Sequence, residues 1–442
     1  MSTFSENILQ YVLDTFKSSF YNCDAIEIDF GTNNDAPITI VNASSDFFQC
    51  KNMLDDTKIV WKNVCNQKIP FLFSASDVEE LFTITETKII INYDIISSAF
   101  YFLSCWQEYV SESKDSFDRY QYESSLQKKL NIATIPVVNY YFNILQQAIE
   151  HAYKIKLIPK TPLGNAPFTV CLTHDIDACF SGWKQDVFWA LKHAKLGSIL
   201  KIITNKIHGK DTWFNFDTII KSEKKHQATS SFYFLTKNKG KSRIINSDYD
   251  LTSDKLKKVF KTIERADSEI GIHGSYRTHD DVEAFRKDIA KINMDIIGNR
   301  FHYLEFDIEK SPTVLQANDI KYDTTLGFAE SIGFRSAYCL PYYLWDFNKA
   351  CRSEVLEIPL MIMDTTLRSY CKLNPEEVFE HIQALIAEVE KFSGVLTLLW
   401  HNTSFSEYKY KGWGKMYSDL LRHFSNKGAW LTKASEVYFL YK

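Results

Sequence analysis

The stretch Phe168-Thr169-Val170-Cys171-Leu172-Thr173-His174-Asp175-Ile176-Asp177 decides how this chain reads. Phe168–Leu172 has the length and apolar content of a buried strand. It runs into an imidazole and two carboxylates. Asp175 and Asp177 are two residues apart, so on an extended backbone both project to the same side. The pattern recurs downstream. Ser231–Leu235, Glu269–Ile272, Phe301–Phe306 and Val395–Trp400 read as strands. Amphipathic segments lie between them. Val282, Phe285, Ile289, Ile292 and Ile296 share one helical face. Asn374-Pro375-Glu376-Glu377 reads as an N-cap, a first-position proline and first-turn acids, followed by the stripe Val378, Ile382, Leu385, Val389. Strand–helix alternation over this length predicts a parallel sheet, either a barrel or a doubly wound fold.

Polar clusters follow the predicted strands. His273 follows Ile270-Gly271-Ile272, with His279 six residues on; His302 lies beside Arg300; His401 and Asn402 follow Leu398-Leu399-Trp400. In a parallel barrel the C-terminal strand ends converge on one mouth. Two carboxylates, several imidazoles and a guanidinium would then face one cavity. That set suits a hydrolytic metal site, with a divalent ion held by His and Asp and an open position for water.

Upstream, residues 1–160 read as a separate, smaller α/β module. Ala25–Phe30, Ile38–Val41 and Lys88–Asn92 are strand candidates, and Ile95–Tyr109 and Asn139–Tyr153 are helix candidates. Lys156–Pro167 holds three prolines and a glycine and is the expected boundary. All eleven histidines lie at or after His151, which points to the second part as the chemical one.

Composition narrows the class. The 442 residues are 45% apolar and 24% charged, with 15 glycines and 10 prolines, which excludes a disordered or collagen-like chain. The balance of 51 basic and 55 acidic residues, net −4, argues against a general nucleic-acid binder while leaving room for a local basic patch. The N-terminus shows no secretory-signal pattern, and Ile95–Trp106 is too short to span a bilayer. A cytoplasmic protein without a transmembrane segment is therefore expected. The nine cysteines are scattered without a CxxC pair and are expected to be mostly reduced core residues. Nothing in the sequence fixes an oligomeric state.

Together these motifs resemble the polysaccharide deacetylases, the NodB-homology carbohydrate esterases of the family 4 type. The resemblance covers residues 165–442 in motif order and implies a distorted parallel (β/α) barrel holding one divalent metal, zinc first, with Co²⁺ or Mn²⁺ as alternatives. Thr173-His174-Asp175-Ile176-Asp177 resembles the first motif, with Ile176 separating aspartates that are usually adjacent. By similarity Asp175 is the general base and Asp177 a metal ligand. Glu269–Ser275 resembles the second motif, which implies His273 as a ligand. The family's second histidine position is Arg277 here, and a guanidinium cannot ligate a metal. His279 either reaches in as the next ligand or is a solvated loop residue beside Asp280 and Asp281. His302 is an alternative third group, and His174 a further possible one.

Gly298-Asn299-Arg300-Phe301-His302 resembles the third motif, without its usual proline, and implies that Arg300 braces Asp175. Leu396–His401 resembles the last motif, which makes His401 the general acid, and Asp364 falls where the family keeps an acid that tunes that histidine. Asp323 and Arg335 line the cleft or hold loops, and Tyr276, Trp213 and Trp413 are candidate sugar-stacking aromatics. The first 160 residues resemble an uncharacterised domain that precedes such barrels in some bacterial proteins. The activity implied is metal-dependent removal of an N-acetyl group from an amino sugar in a polysaccharide or its precursor, with carbohydrate as the partner. The rivals are a catalytically degenerate sugar-binding barrel, a hydrolase of another C–N amide bond, and a scaffold role for the N-terminal module.

Overall fold

The computed structural model describes all residues except 1–2, 24–25, 32–35, 75–78, 87, 161, 163, 165 and 238–246. The helix Thr3–Lys17 opens the chain, and the short strands β1 (Ile28–Phe30), β2 (Ile38–Ile40), β3 (Val60–Val64), β4 (Gln67–Phe71), β5 (Phe82–Ile84) and β6 (Ile89–Ile91) follow. Four of them form a sheet in the order β1-β2-β6-β5, and β3 and β4 form a hairpin. Ala25, the expected start of β1, lies outside the described residues, as do 161, 163 and 165 of the expected boundary. The helix expected over Ile95–Tyr109 is two helices, Ile95–Leu103 and Trp106–Tyr109. The Ser104 hydroxyl donates back to the Phe100 carbonyl at 2.6 Å, and Cys105 turns into the left-handed region at φ 53°. The helix Val137–Tyr153 starts just after Pro136, earlier than expected.

The second part is built on a ten-stranded sheet. Its strands are β7 (Thr169–Ile176), β8 (Ser231–Leu235), β9 (Glu269–Gly274), β10 (Gly298–Phe301), β11 (Tyr322–Asp323), β12 (Tyr342–Asp346), β13 (Cys351–Glu357), β14 (Leu360–Met363), β15 (Val395–Leu399) and β16 (Trp430–Thr432). The order is β12-β13-β11-β10-β9-β8-β7-β15-β14, with β16 also paired to β7. Only the β12–β13 pairing is antiparallel. β14 has no ladder to β11, but the segment after β11 spans the gap: the Leu360 amide donates to the Leu326 carbonyl at 3.0 Å, and Gly333 donates to Met361 at 3.1 Å. The result is the distorted parallel barrel expected, curled but not closed by a regular ladder.

β7 shows why the fold follows from its sequence. Its side chains alternate. Val170 and Leu172 face the apolar layer of outer helices, while Cys171 packs inside with Tyr233 and Tyr322. The interior has room for those tyrosines because Gly271 and Gly298 carry no side chain; a Cβ on either would run into the ring of Tyr233 or Tyr322. β7 is longer than expected, so Thr173–Ile176 still pair with Ser231–Phe234 of β8. The strand expected over Phe301–Phe306 is corrected: β10 ends at Phe301, and His302–Leu304 form a 3₁₀ turn with Tyr303 and Leu304 at φ 61° and 59°. That turn stops the strand and swings His302 toward the mouth.

The first part packs on the barrel through a shared core. Tyr11 and Phe100 meet Trp345 at ring distances of 5.1 and 5.0 Å. Among the described residues no helix is long and apolar enough to cross a membrane. Of the cysteines, Cys23, Cys105, Cys171, Cys179 and Cys339 are buried, whereas Cys50 and Cys65 are exposed.

Candidate functional site

Strand register assembles the site. Arg300 on β10 lies level with His273 on β9, and Leu235 on β8 level with the same histidine. Asp175 and the next residue on its side, Asp177, project from the end of β7. One oxygen each from Asp177 and one ring nitrogen each from His273 and His302 lie within 4.8 Å of one another. His273 Nε2 is 3.4 Å and His302 Nδ1 3.6 Å from Asp177 Oδ1, and the two ring nitrogens are 2.9 Å apart.

These residues fit a divalent ion. Two donors at zinc-bonding distance on a tetrahedron are about 3.3 Å apart, close to what is seen here. His273 Nδ1 donates to the Arg300 carbonyl at 2.8 Å, which leaves Nε2 with its lone pair aimed at the cluster. Asp177 Oδ1 is buried without a hydrogen bond. Burial drives His302 down to about 4, reinforced by His273 and His401 and opposed by Asp177, so its ring is neutral near pH 7. Burial penalises the Asp177 charge, but the adjacent rings of His273, His302 and His401 outweigh it and hold the carboxyl well below its ordinary value. A carboxylate oxygen and two imidazole nitrogens are a donor set a metal takes.

Two further pairs flank this group. Arg300 is fully buried and reaches Asp175 Oδ1 at 3.1 Å from Nη1, which also donates to Thr173 Oγ1 at 2.8 Å; its Nε donates to the Thr324 carbonyl at 3.0 Å. The other oxygen of Asp175 is 3.7 Å from His273 Nε2. On the opposite side, His401 Nδ1 donates to Asp364 Oδ1 at 2.6 Å, and its backbone amide donates to Oδ2 at 3.1 Å. The Ser404 hydroxyl donates to the same Oδ2. Burial alone would depress His401; the contact with Asp364, helped by Asp177 and Asp175, lifts it to about 9. The free Nε2 faces Asp177 Oδ2 at 3.9 Å.

Other sequence candidates lie elsewhere. His279 is neither in this cluster nor solvated: it is buried, with Nδ1 3.7 Å from the Glu305 carboxylate and its ring against Phe301. The nearby acid and aromatic surface hold it on the loop side of β9, and His302 occupies the third position instead. His174 alternates to the outer face of β7. Its Nδ1 donates to the Trp400 carbonyl at 2.6 Å, and Nε2 lies 2.8 Å from Glu223, which also accepts from Tyr417. Asp323 is buried and accepts from Asn299 and Thr325. Arg335 is buried in a two-pronged pair with Glu108, at 2.8 and 2.6 Å. Both hold loops. Trp213 and Trp413 are buried, so neither offers a face to a sugar, whereas Tyr276 is half-buried beside Tyr303.

The sequence reading missed a contribution from the first 160 residues. Phe117 stacks on Tyr303 with ring centroids 4.7 Å apart, and Arg119 Nη1 donates to the Tyr303 carbonyl at 2.9 Å. Arg119 is itself held by Asp115. No motif marks these residues; only the fold brings them to the turn that carries His302.

A family model of unknown function, DUF7033, matches residues 2–154. No curated protein matches the chain. Among solved structures, a protein described as a polysaccharide deacetylase, from Mycobacterium smegmatis, is 14% identical over 63% of this chain and 91% of its own, with a TM-score of 0.41. The allantoinase PuuE is 10% identical over 63% and 92%, with a TM-score of 0.41. The peptidoglycan deacetylase PdaC from Bacillus subtilis is 11% identical over 62% and 91%, with a TM-score of 0.29.

Proposed function

We propose that residues 165–442 form a metal-dependent hydrolase that removes an N-acetyl group from an amino sugar of a polysaccharide or its precursor, with residues 1–160 as a separate supporting unit. The observation that carries this reading is the meeting of Asp177, His273 and His302 between two ready-made proton-handling pairs, Asp175–Arg300 and His401–Asp364. A divalent ion held by those three residues, zinc first, supplies Lewis-acid polarisation of an acyl carbonyl and a lower pKa for a water.

The chain's own residues do the rest. Arg300 fixes one oxygen of Asp175 and keeps the carboxylate oriented, so the other oxygen is the acceptor for the proton of an attacking water. His401 carries two ring protons near neutral pH. Its Nδ1–H is committed to Asp364, so Nε2 is the donor aimed into the cleft. Nε2–H goes to the nitrogen of the departing amine, which is a poor leaving group unless protonated. A proton acceptor and a proton donor thus both lie beside the Asp177 cluster, as general base and general acid catalysis of amide hydrolysis needs.

The test is acetate release from a panel of N-acetylated sugars and oligosaccharides by protein loaded with Zn²⁺, Co²⁺ or Mn²⁺, alongside metal analysis. Turnover lost in Asp175→Asn and in His401→Ala supports the reading. Stoichiometric metal with no turnover on any substrate would favour a sugar-gripping relic, and absence of bound metal after loading would remove the hydrolase.

A further inference from the structure

Between β7 and β8 the chain has three helices, and the first two, Gly182–Lys192 and Leu196–Ile207, pack on each other ahead of the third, Phe216–Lys224. A surface helix ordinarily turns its apolar stripe to the core. The second helix does the reverse. Ile202 is its one buried residue, while Leu196, Leu200, Ile203 and Ile207, spaced i, i+4, i+7, i+11, stand exposed along one stripe. Phe188 and Leu191 extend the apolar face onto the first helix, and these six side chains are 41% to 77% exposed. No other helix or strand among the described residues carries more than one large exposed apolar side chain.

The charge around this face is one-sided. From Val187 to Lys210 there is no Asp or Glu, but there are Lys192, Lys195, Lys201, Lys206 and Lys210. Lys206 pairs with Asp211 at 3.7 Å. Lys192, Lys195, Lys201 and Lys210 have no carboxylate within ion-pairing reach among the described residues. A chain of net −4 has thus gathered unpaired cations around an exposed aliphatic stripe. The hairpin is mounted beside the candidate site. Asn402, next to His401, donates from Nδ2 to the carbonyls of Ala178 and Trp213, each at 2.7 Å, and so clips both ends of the insertion together.

We propose that this helical hairpin docks on an anionic lipid bilayer, its Phe/Leu/Ile face in the headgroup boundary and its lysines on the lipid phosphates. Amphipathic helices that lie in the interface plane show this combination of apolar face and flanking lysines. A second copy of the chain does not fit the face: a two-fold contact would set lysines against lysines. A nucleic-acid backbone would satisfy the lysines but leave the aliphatic stripe in water. Docking here would hold the mouth of the barrel near the membrane surface. The inference does not depend on the hydrolase reading, because its readout is binding.

The experiment is co-sedimentation of the full chain with phosphatidylcholine vesicles, with and without about 30 mol% phosphatidylglycerol, at low and high salt. Wild type is expected to bind the anionic vesicles at low salt and to lose binding as salt rises. Leu200→Ser/Ile207→Ser and Lys195→Glu/Lys201→Glu should each weaken binding at least tenfold with an unchanged thermal unfolding curve, since these side chains touch no core. Failure of wild type to sediment with anionic vesicles at low salt would overturn the proposal. So would equal binding by both variants. Concentration-dependent dimerisation of wild type that the variants abolish, without vesicle binding, would give the face to a second copy instead.

Discussion

Removing the carboxylate of Asp364 is the sharpest probe of the site. Asp364 is fully buried, and its Oδ1 sits 2.6 Å from His401 Nδ1. The pair lifts His401 from 6.5 to about 9, a preference for the charged ring worth roughly 3 kcal/mol. In Asp364→Asn the burial penalty remains and its main compensation is gone, so His401 falls to about 6.5 or lower. At pH 7.5 the protonated fraction then drops from about 97% to about 9% or less. The direct assay is a ring-resonance titration of metal-free protein, with His401→Ala assigning the signal. Wild type should titrate near pH 9 and the variant at or below about 6.5. The same shift has a stability consequence. A histidine whose folded pKa is raised contributes stability that is complete below about 6.5 and is lost as pH rises through about 9. The denaturation difference between wild type and Asp364→Asn should therefore shrink across that window. If the loaded enzyme turns over, the alkaline limb of its rate profile should move down in parallel. A His401 signal that still titrates above about pH 8 in the variant would refute the coupling.

Other expectations follow from single contacts. His302→Ala should weaken Zn²⁺ or Co²⁺ binding at least tenfold by calorimetry while His279→Ala leaves it unchanged, because only His302 reaches Asp177. Arg300→Met strands the Asp175 carboxylate in a buried setting and should cost about 3–5 kcal/mol in urea unfolding. Asp94, buried at the start of the helix Ile95–Leu103, is raised by burial to about 6, so its contribution to stability is present below about 3.8 and lost as pH rises through about 6. The stability gap between wild type and Asp94→Asn should move toward the variant by up to roughly 3 kcal/mol over that range, and a flat gap would contradict the assignment. A thiol reagent should label Cys50 and Cys65 in the native protein well before Cys171, Cys179 or Cys339.

What was legible in the sequence was whatever depends on strand ends. Each of β7, β9 and β15 has a mostly apolar stretch with a histidine or an acid close to its C-terminal end, and period-2 alternation alone puts Asp175 and Asp177 together. His174 and His279 show where that reasoning stops. His174 sits in the same motif, but alternation turns it outward, into a helix layer where Glu223 waits from a distant segment. The sequence offers either His279 or His302 as the third group. The choice between them is made by the left-handed turn at Tyr303 and Leu304, two non-glycine residues whose conformation no local pattern announces. The break at Cys105 escaped notice for the same reason: Ile95–Tyr109 has a continuous helical pattern, and only the backbone shows the kink.

That turn also ties residues 1–160 to the candidate site. A left-handed residue with a side chain costs about 1–2 kcal/mol, and here two occur in succession right after His302. Within the barrel Leu304 packs with Ala329, Leu360 and Leu399, and Tyr276 meets the Tyr303 ring edge-on. The first part adds a second hold: Arg119, whose Nη1 donates to the Tyr303 carbonyl while its Nε and Nη2 grip Asp115, and Phe117, stacked on the Tyr303 ring. Tyr303 in turn lies 3.8 Å, ring to ring, from His302. An isolated barrel would also expose Tyr342 and Trp345, which now share a core with Tyr11 and Phe100. The chain that carries the cluster therefore depends on the preceding segment twice, for packing and for the angle of one imidazole. Arg119→Ala separates the two: it leaves the shared core intact but frees the Tyr303 carbonyl and strips Asp115 of its cation, so it should lower metal affinity by up to tenfold while costing about 1–3 kcal/mol in unfolding. A variant that binds metal as tightly as wild type would show that the turn holds His302 unaided.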